Sequence, residues 1–229
     1  MAKENKQKIG EMRIPTDELE KEYLELEETQ ATKDEIQEIQ SMRYVEDSPQ
    51  VTGFQSSQEQ FDQYEIITNI IGLNTSVLDF GCGRGDYFGW HAARYGQGKL
   101  NYIGIDANKV LIDAGKKLYD TIVLLNKDWT QLDDKVQNDW SININSNYLR
   151  YDLTSKSDTE YLFETIESMY KHARVGILLS LSSSIYKDEN GFIKHNPGDI
   201  LNWAQEKYGS VAIDHSSSNK EFYLIIYKN

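Results

Sequence analysis

The sequence has one cysteine and three prolines among 229 residues, and it has no long apolar run. The single cysteine, Cys82, excludes an internal disulfide framework and is typical of a reducing compartment. No apolar stretch approaches the roughly 20 residues that a membrane-spanning helix requires. The charged N-terminus also lacks the apolar core of a secretory signal. These absences predict a cytoplasmic protein that is not embedded in a membrane.

Basic residues are also scarce, since 24 Lys and Arg stand against 37 Asp and Glu, for a net charge of −13. A negative field of this size repels phosphate backbones and argues against a general nucleic-acid-binding protein. The charge is uneven, because residues 1–50 hold 14 acidic and 7 basic side chains and so contribute −7 of the total. The composition therefore predicts an acidic N-terminal segment followed by a less charged domain over residues 51–229.

Within the acidic segment, cap signals predict two short helices. One opens at Pro15, and the other follows a capping box formed by Thr32 and Glu35. Their apolar stripes are too narrow to form a core alone. The segment is thus predicted to be a helical arm, either solvated or docked on a partner protein whose surface would be basic.

From residue 51 onward, predicted helices alternate with predicted apolar strands. This alternation predicts an α/β fold: an open, mostly parallel seven-stranded sheet with helices on both faces. The six-residue link between the last two strands favours an antiparallel last strand. The predicted helices are 58–71, 86–95, 108–119, 158–171 and one that starts at Asn196-Pro197; the predicted strands are 76–80, 101–105, 121–126, 148–153, 175–181, 211–215 and 222–227.

The most informative segment runs from Asp79 to Asp86, where an apolar strand enters a glycine-dense turn before a helix. The spacing is Gly-x-Gly-x-Gly, whereas the dinucleotide fingerprint is Gly-x-Gly-x-x-Gly, and Asp86 occupies the position of its third glycine. A phosphate loop is excluded because no Gly-Lys-Ser/Thr follows. The carboxylate of Asp79 suits a ligand with positive charge better than a pyrophosphate.

This loop resembles the first motif of class I S-adenosylmethionine-dependent methyltransferases, hydrophobic-Leu-Asp-x-Gly-x-Gly-x-Gly. The resemblance implies their Rossmann-like fold and S-adenosylmethionine as cofactor. It also implies which loop residues flank the methionyl part of that cofactor: Asp79, Gly81, Cys82, Gly83 and Gly85. The side chain of Cys82 itself is predicted to be a small packing residue.

Two further motifs of the same family have counterparts after the next two strands. Asp106, followed by Ala107, resembles the acid that binds both ribose hydroxyls. Asp128 resembles the acid near the adenine amine, and Trp129 is a candidate for packing against the adenine ring. No metal site is predicted.

A closer resemblance covers residues 51–228 and is to small methyltransferase-like proteins. They share a Gly-Cys-Gly-x-Gly-Asp loop, here Gly81–Asp86, and a C-terminal Glu-Phe-hydrophobic pattern, here Glu221–Leu224. Such proteins often carry an arginine before the phenylalanine of the first helix, where this chain has Gln60 before Phe61. If that arginine holds the cofactor carboxylate, its absence predicts weaker cofactor binding.

The catalytic residue is not identifiable, because the cofactor brings the reactive methyl group and the protein mainly positions the acceptor. The predicted fourth strand is not followed by the Asn/Asp-Pro-Pro-aromatic motif of base and glutamine amide methyltransferases. The Pro-Cys pair of cytosine C5 enzymes is also missing. Four side chains are candidates for contacting an acceptor: Asp152, Tyr151, Tyr186 and His195. Of these, His195 precedes a helix start, a position typical of a surface loop.

Two functions fit the sequence. The first is a methyltransferase acting on a small-molecule or protein acceptor, and retention of Asp79, Asp106 and Asp128 favours it. The second is a structural or assembly protein that reuses the fold and docks through the arm. The acidic arm and the missing amine-methylation motif favour this alternative.

Overall fold

A computed structural model of the chain describes residues 56–144, 157–186, 193–217 and 220–228. Within these ranges, five α-helices alternate with seven β-strands. The helices are α1 (Ser57–Ile71), α2 (Asp86–Tyr95), α3 (Lys109–Leu118), α4 (Asp158–His172) and α5 (Pro197–Tyr208), and the strands are β1 (Thr75–Phe80), β2 (Leu100–Asp106), β3 (Val123–Asn126), β4 (Asn138–Asn143), β5 (Ala173–Ser182), β6 (Val211–Asp214) and β7 (Glu221–Tyr227). The predicted arm over residues 1–50 lies outside the described residues.

The strands form one sheet in the order β3-β2-β1-β4-β5-β7-β6. Four neighbouring pairs are parallel: β1 pairs with β2 and with β4, β2 with β3, and β4 with β5. Only β7 runs antiparallel, between β5 and β6. The predicted mostly parallel sheet with an antiparallel last strand is therefore confirmed. The strand order reverses between β1 and β4, where open α/β sheets bind their ligands beyond the carboxyl ends of the strands.

The predicted position of the fourth strand in the sequence is wrong. Its place in the sheet, between β1 and β5, is taken by Asn138–Asn143, and the predicted segment 148–153 lies outside the described residues. This strand lacks a continuous apolar pattern, because polar residues interrupt it. Asn138, Ser141 and Asn143 are nevertheless buried. The other elements predicted from residue 58 onward agree with the structure to within about two residues.

The core has two parts, one on each face of the sheet. Helices α1, α2 and α3 cover one face, and α4 and α5 cover the other. Alternation along β7 follows this division, since Tyr223 and Ile225 belong to the first part and Phe222 and Leu224 to the second. Glu221 therefore starts β7 on the side of α1. Among the described helices, none is long and apolar enough to cross a bilayer.

Candidate functional site

The glycine loop between β1 and α2 is held in a conformation that side chains disfavour. Gly81, Gly83 and Gly85 have φ angles of 73°, 56° and 80°, in the left-handed region that glycine adopts at low cost. The backbone N–H groups of Gly81 and Cys82 both donate to the carbonyl of Ile105, at 2.9 and 3.0 Å. The loop is thus attached to the end of β2, with its backbone free of Cβ atoms at three positions.

Two further glycines let this loop lie close to its neighbours. A Cβ atom on Gly104 of β2 would meet the sulfur of Cys82 at 2.6 Å, and one on Gly115 of α3 would meet the carbonyl oxygen of Arg84 at 2.2 Å. The Cys82 side chain is buried against Gly104, so its predicted packing role is confirmed. Burial also raises the pKa of the Cys82 thiol well above its usual value, which keeps it protonated.

Asp79, near the end of β1, is 2% exposed. Its Oδ2 atom accepts a hydrogen bond of 2.6 Å from the Tyr102 hydroxyl. Its Oδ1 atom is buried and has no hydrogen-bond partner in the described part of the chain. Burial raises the pKa of Asp79 to about 7, the Tyr102 hydrogen bond opposes this, and the negative charge of Asp106 adds to it. A cationic group beside Oδ1 would satisfy the free oxygen and stabilise the ionised carboxylate.

Asp106, the last residue of β2, connects the loop to α3. Its Oδ2 atom accepts from the Gly83 N–H at 2.9 Å and its Oδ1 atom from the Asn108 N–H at 2.7 Å. Burial raises the pKa of this carboxyl, and the two backbone hydrogen bonds lower it. A carboxylate oxygen can accept more than one hydrogen bond. Asp106 can therefore orient the loop and still accept ligand hydroxyls.

The end of β3 carries the third acid, Asp128, which caps a short 3-10 turn. Its side chain accepts from the N–H and the hydroxyl of Thr130, each at 3.0 Å. Asn126 joins β3 to β2 by donating to the Asp106 and Ala107 carbonyls at 3.1 and 2.8 Å. The three strand ends that carry Asp79, Asp106 and Asp128 thus lie side by side, as predicted.

Trp129 is half-buried beside Asp128. Its ring meets Tyr161 of α4 edge-on, with centroids 6.3 Å apart, and it packs against the part of the core under α4 and α5. Its indole Nε1 is buried without a hydrogen-bond partner among the described residues. Packing of Trp129 against a bound adenine ring stays a prediction.

Helix α1 lies on the same face of the sheet as the Cys82 side chain of the loop. Gln60, at the position where small methyltransferase-like proteins often carry arginine, is buried and donates to the Tyr64 hydroxyl at 2.9 Å. Burial raises the pKa of Tyr64, and the charges of Asp86 and Asp79 raise it further, which places this phenol near both carboxylates. At the position of the family's arginine, this chain thus has a neutral polar side chain.

The acceptor candidates have mixed outcomes. Asp152 and Tyr151 lie outside the described residues. His195 is 6% exposed, so the expectation of a surface loop residue is wrong. Its backbone is bonded on both sides to the end of β5, donating to Ser182 and accepting from Ser184. Tyr186 is half-buried, and the Lys194 and Lys220 ammonium groups lie 6.0 and 5.4 Å from its ring centre.

Sequence reasoning missed a polar contact at the same edge of the sheet. Gln63 of α1 donates a hydrogen bond to the carboxylate of Glu221, the first residue of β7. Burial raises the pKa of Glu221 to about 7, the charge of Glu59 adds to this, and the Gln63 hydrogen bond and Lys220 oppose it. The Glu-Phe-hydrophobic pattern that begins at Glu221 marked this residue in the sequence. The pattern indicated a family resemblance but not the contact with Gln63.

Several solved structures with a similar fold are methyltransferases. Magnesium protoporphyrin IX methyltransferase from Synechocystis PCC 6803, with bound S-adenosylmethionine, is 14% identical with a TM-score of 0.56, covering 96% of this chain and all of that one. The N-methyltransferase NodS from Bradyrhizobium japonicum WM9, in complex with S-adenosylhomocysteine, is 14% identical with a TM-score of 0.54, covering 80% of this chain and 89% of that one. A TehB-like methyltransferase from Corynebacterium glutamicum is 14% identical with a TM-score of 0.52, covering 73% and 87%. No protein-family model matches the chain, and no curated protein matches it significantly.

Proposed function

Because the chain has the class I methyltransferase fold, we propose that it is an S-adenosylmethionine-dependent methyltransferase that acts on a small-molecule or protein acceptor. The observation that carries this proposal is the buried, unpartnered Oδ1 atom of Asp79 beside the glycine loop. The cofactor carries an ammonium group and a sulfonium centre. Either charge would stabilise the ionised carboxylate in this dry site.

The remaining residues of the site fit the other parts of the cofactor. The glycine loop offers backbone approach without Cβ atoms, and Asp106 keeps acceptor capacity for ribose hydroxyls. Asp128 and Trp129 follow β3, where they would contact the adenine of the cofactor. When bound, the cofactor supplies an electrophilic methyl group. The chain's own residues bind and orient the reactants.

A dinucleotide fits this site less well. Asp79 and Asp106 are both buried, and their negative charges repel each other when both carboxyls are ionised. A pyrophosphate would add negative charge next to them, at a cost that a low-dielectric site makes large. The charge distribution of the site therefore supports the sulfonium cofactor over NAD.

The acceptor class is narrowed by the corrected fourth strand. Strand β4 ends at Asn143, and the residues after it, Ile144-Asn145-Ser146, contain no proline. The Asn/Asp-Pro-Pro-aromatic motif is therefore missing at this position too. This supports an acceptor other than a nucleobase amine in DNA, in agreement with the net charge of −13.

Calorimetric titration tests the proposal with S-adenosylmethionine, S-adenosylhomocysteine and NAD as ligands. We expect dissociation constants in the micromolar range, about −8 kcal/mol, for the first two and much weaker binding of NAD. The absence of both heat and thermal stabilisation at millimolar S-adenosylhomocysteine would overturn it and favour the assembly function. Comparable affinity for NAD would restore the dinucleotide site.

A further inference from the structure

We propose that Glu221 binds the methyl acceptor, and that the acceptor presents a nitrogen atom carrying at least two hydrogens. The inference rests on the proposed methyltransferase function. It concerns a part of the sheet edge that the cofactor-binding residues Asp79, Asp106 and Asp128 do not occupy. It assigns a chemical class to the acceptor.

Glu221 lies at the carboxyl edge of the sheet although it begins its own strand. Strand β7 is antiparallel to β5, and Glu221 pairs with Ser182, the last residue of β5. The cofactor candidates are on β1, β2 and the end of β3, whereas β5 and β7 lie on the other side of the strand-order reversal. Parallel α/β sheets place ligands along this edge. Glu221 therefore borders the half of the crevice left for the acceptor.

Helix α1 connects the two halves of this crevice. Gln63 contacts Glu221, and the next residue, Tyr64, lies near Asp79. Both glutamate and glutamine face the same side of the sheet, the side covered by α1. A ligand group at Glu221 and a cofactor at Asp79 would thus be neighbours along one helix.

The Gln63 amide is oriented by Glu221. An ionised carboxylate only accepts hydrogen bonds, so the amide nitrogen must face it and the amide oxygen must face elsewhere. That oxygen, Oε1 of Gln63, is buried and has no hydrogen-bond partner in the described ranges, on a side chain that is 4% exposed. An unsatisfied buried acceptor is uncommon and calls for a donor.

Two hydrogen-bond acceptors side by side determine which ligand groups can bind to both. The Glu221 carboxylate and the Gln63 amide oxygen can each accept a hydrogen, whereas neither offers the ligand a strong donor in this arrangement. A hydroxyl has a single hydrogen and can satisfy one of them. A primary amine or its ammonium form has enough hydrogens for both, and its positive charge suits a carboxylate that also faces Glu59.

Glu221 is also suited to take up a proton. Of the charged groups around it, Glu59 on α1 raises its pKa and Lys220 lowers it, while burial has the largest effect and brings the value to about 7. An ammonium nitrogen must lose a proton before its lone pair can react. Transfer to the carboxylate gives a neutral amine and a neutral carboxylic acid, with no other reactant required.

Three benzyl probes of similar shape test the inference on the full chain loaded with S-adenosylhomocysteine. Benzylamine carries N–H donors, benzyl alcohol carries one O–H, and benzyltrimethylammonium carries the charge without a donor. NMR titration that follows the Glu221 side-chain carboxyl should show benzylamine binding at least about tenfold more tightly than either analogue. Glu221→Gln should weaken benzylamine binding at least about tenfold while S-adenosylhomocysteine affinity and melting temperature stay unchanged.

Glu206→Gln is the matched control. Glu206 is exposed on α5, and its substitution removes the same charged group. It should leave all three probes unaffected. Equal affinities for the three probes, no response of the Glu221 signal, or unchanged benzylamine binding in Glu221→Gln would each overturn the inference. Failure of the wild-type chain to bind S-adenosylhomocysteine would instead overturn the proposed function, so the two failures are distinguishable.

Discussion

The Tyr102 hydroxyl donates a 2.6 Å hydrogen bond to Oδ2 of Asp79, and the other carboxylate oxygen is left buried without a partner. Tyr102 lies on β2, and Asp79 on β1. The phenol thus fixes the orientation of the carboxylate from the neighbouring strand. One oxygen is anchored by the fold, and the other is available for a ligand.

The stability of the ligand-free protein should fall with rising pH because of Asp79. Its pKa is raised from 3.8 to about 7 on folding, so the folded state holds the proton more tightly than the unfolded state. The contribution to stability is full below the unfolded value and is lost as pH rises toward about 7. Each unit of pKa shift corresponds to about 1.4 kcal/mol, which makes the expected loss a few kcal/mol.

Urea unfolding at about pH 5 and about pH 8 measures this effect. Other carboxyls contribute to the total, so the informative quantity is the difference between wild type and Asp79→Asn. We expect the variant to gain stability relative to wild type as pH rises. The exposed Asp120 gives the control, because Asp120→Asn should show no such trend. Parallel profiles for wild type and Asp79→Asn would contradict the prediction.

Cofactor affinity should rise with pH over the same range. An ammonium group beside Asp79 favours the ionised carboxylate, so binding below the pKa of about 7 must displace a proton. Affinity for S-adenosylhomocysteine should then increase by up to about tenfold per pH unit between roughly pH 5.5 and 7, and level off above. In Asp79→Asn the affinity should be weaker and independent of pH. A wild-type affinity that does not change over this range would argue against contact with Asp79.

Asp106→Ala should weaken cofactor binding at least about tenfold. Charge-assisted hydrogen bonds to ribose hydroxyls are worth about 1.5–3 kcal/mol each. The loop would also lose the Gly83 N–H bond that Asp106 accepts. Calorimetry measures the affinity, and a single cooperative unfolding transition confirms the fold. Asp113→Ala on α3 serves as control, because its exposed pair with Lys109 contributes little. Unchanged affinity in a folded Asp106→Ala would show that the ribose is held elsewhere.

Gly115→Ala should damage the site more than Gly89→Ala, although both glycines lie inside helices. A Cβ on Gly115 would meet the Arg84 carbonyl oxygen, which is backbone of the glycine loop, at 2.2 Å, whereas a Cβ on Gly89 would meet the end of the Tyr119 side chain at 2.3 Å. A side chain can move aside more easily than a loop backbone. We expect Gly115→Ala to lower both melting temperature and cofactor affinity. Equal effects of the two substitutions would contradict the close approach of α3 to the loop.

Deletion of residues 1–48 should leave a folded domain that binds cofactor with an affinity changed by less than about threefold, under 0.7 kcal/mol. The reason is that all seven strands and the loop follow residue 56. Calorimetry and unfolding of the shortened chain provide the measurement. A large loss of affinity would show that the segment contributes to the site.

The loop and its acids were predictable from the sequence because each lies at the end of an apolar strand or just after it. Gly81 to Gly85, Asp106 and Asp128 were singled out by their resemblance to methyltransferase motifs, and the rule that parallel strands end at one edge predicts that they lie close together. Strand β4 was not predictable from hydrophobicity, since Asn138, Ser141 and Asn143 bury polar groups on a central strand. A pattern based on apolar residues cannot find such a strand.

Contacts between distant parts of the chain were also beyond the sequence. Gln63 and Glu221 are 158 positions apart, and only the antiparallel return of β7 brings them together. The burial of His195 likewise depends on the bridge between its backbone and the end of β5. Local signals place a residue in a helix or a loop, but tertiary packing decides whether it is buried.

A crystal structure with bound S-adenosylhomocysteine tests the central claim most directly. The account predicts the ligand's ammonium within hydrogen-bond distance of Asp79 Oδ1, its ribose hydroxyls on Asp106 and its adenine next to Asp128. A ligand bound away from the glycine loop, or with its ammonium remote from Asp79, would contradict it.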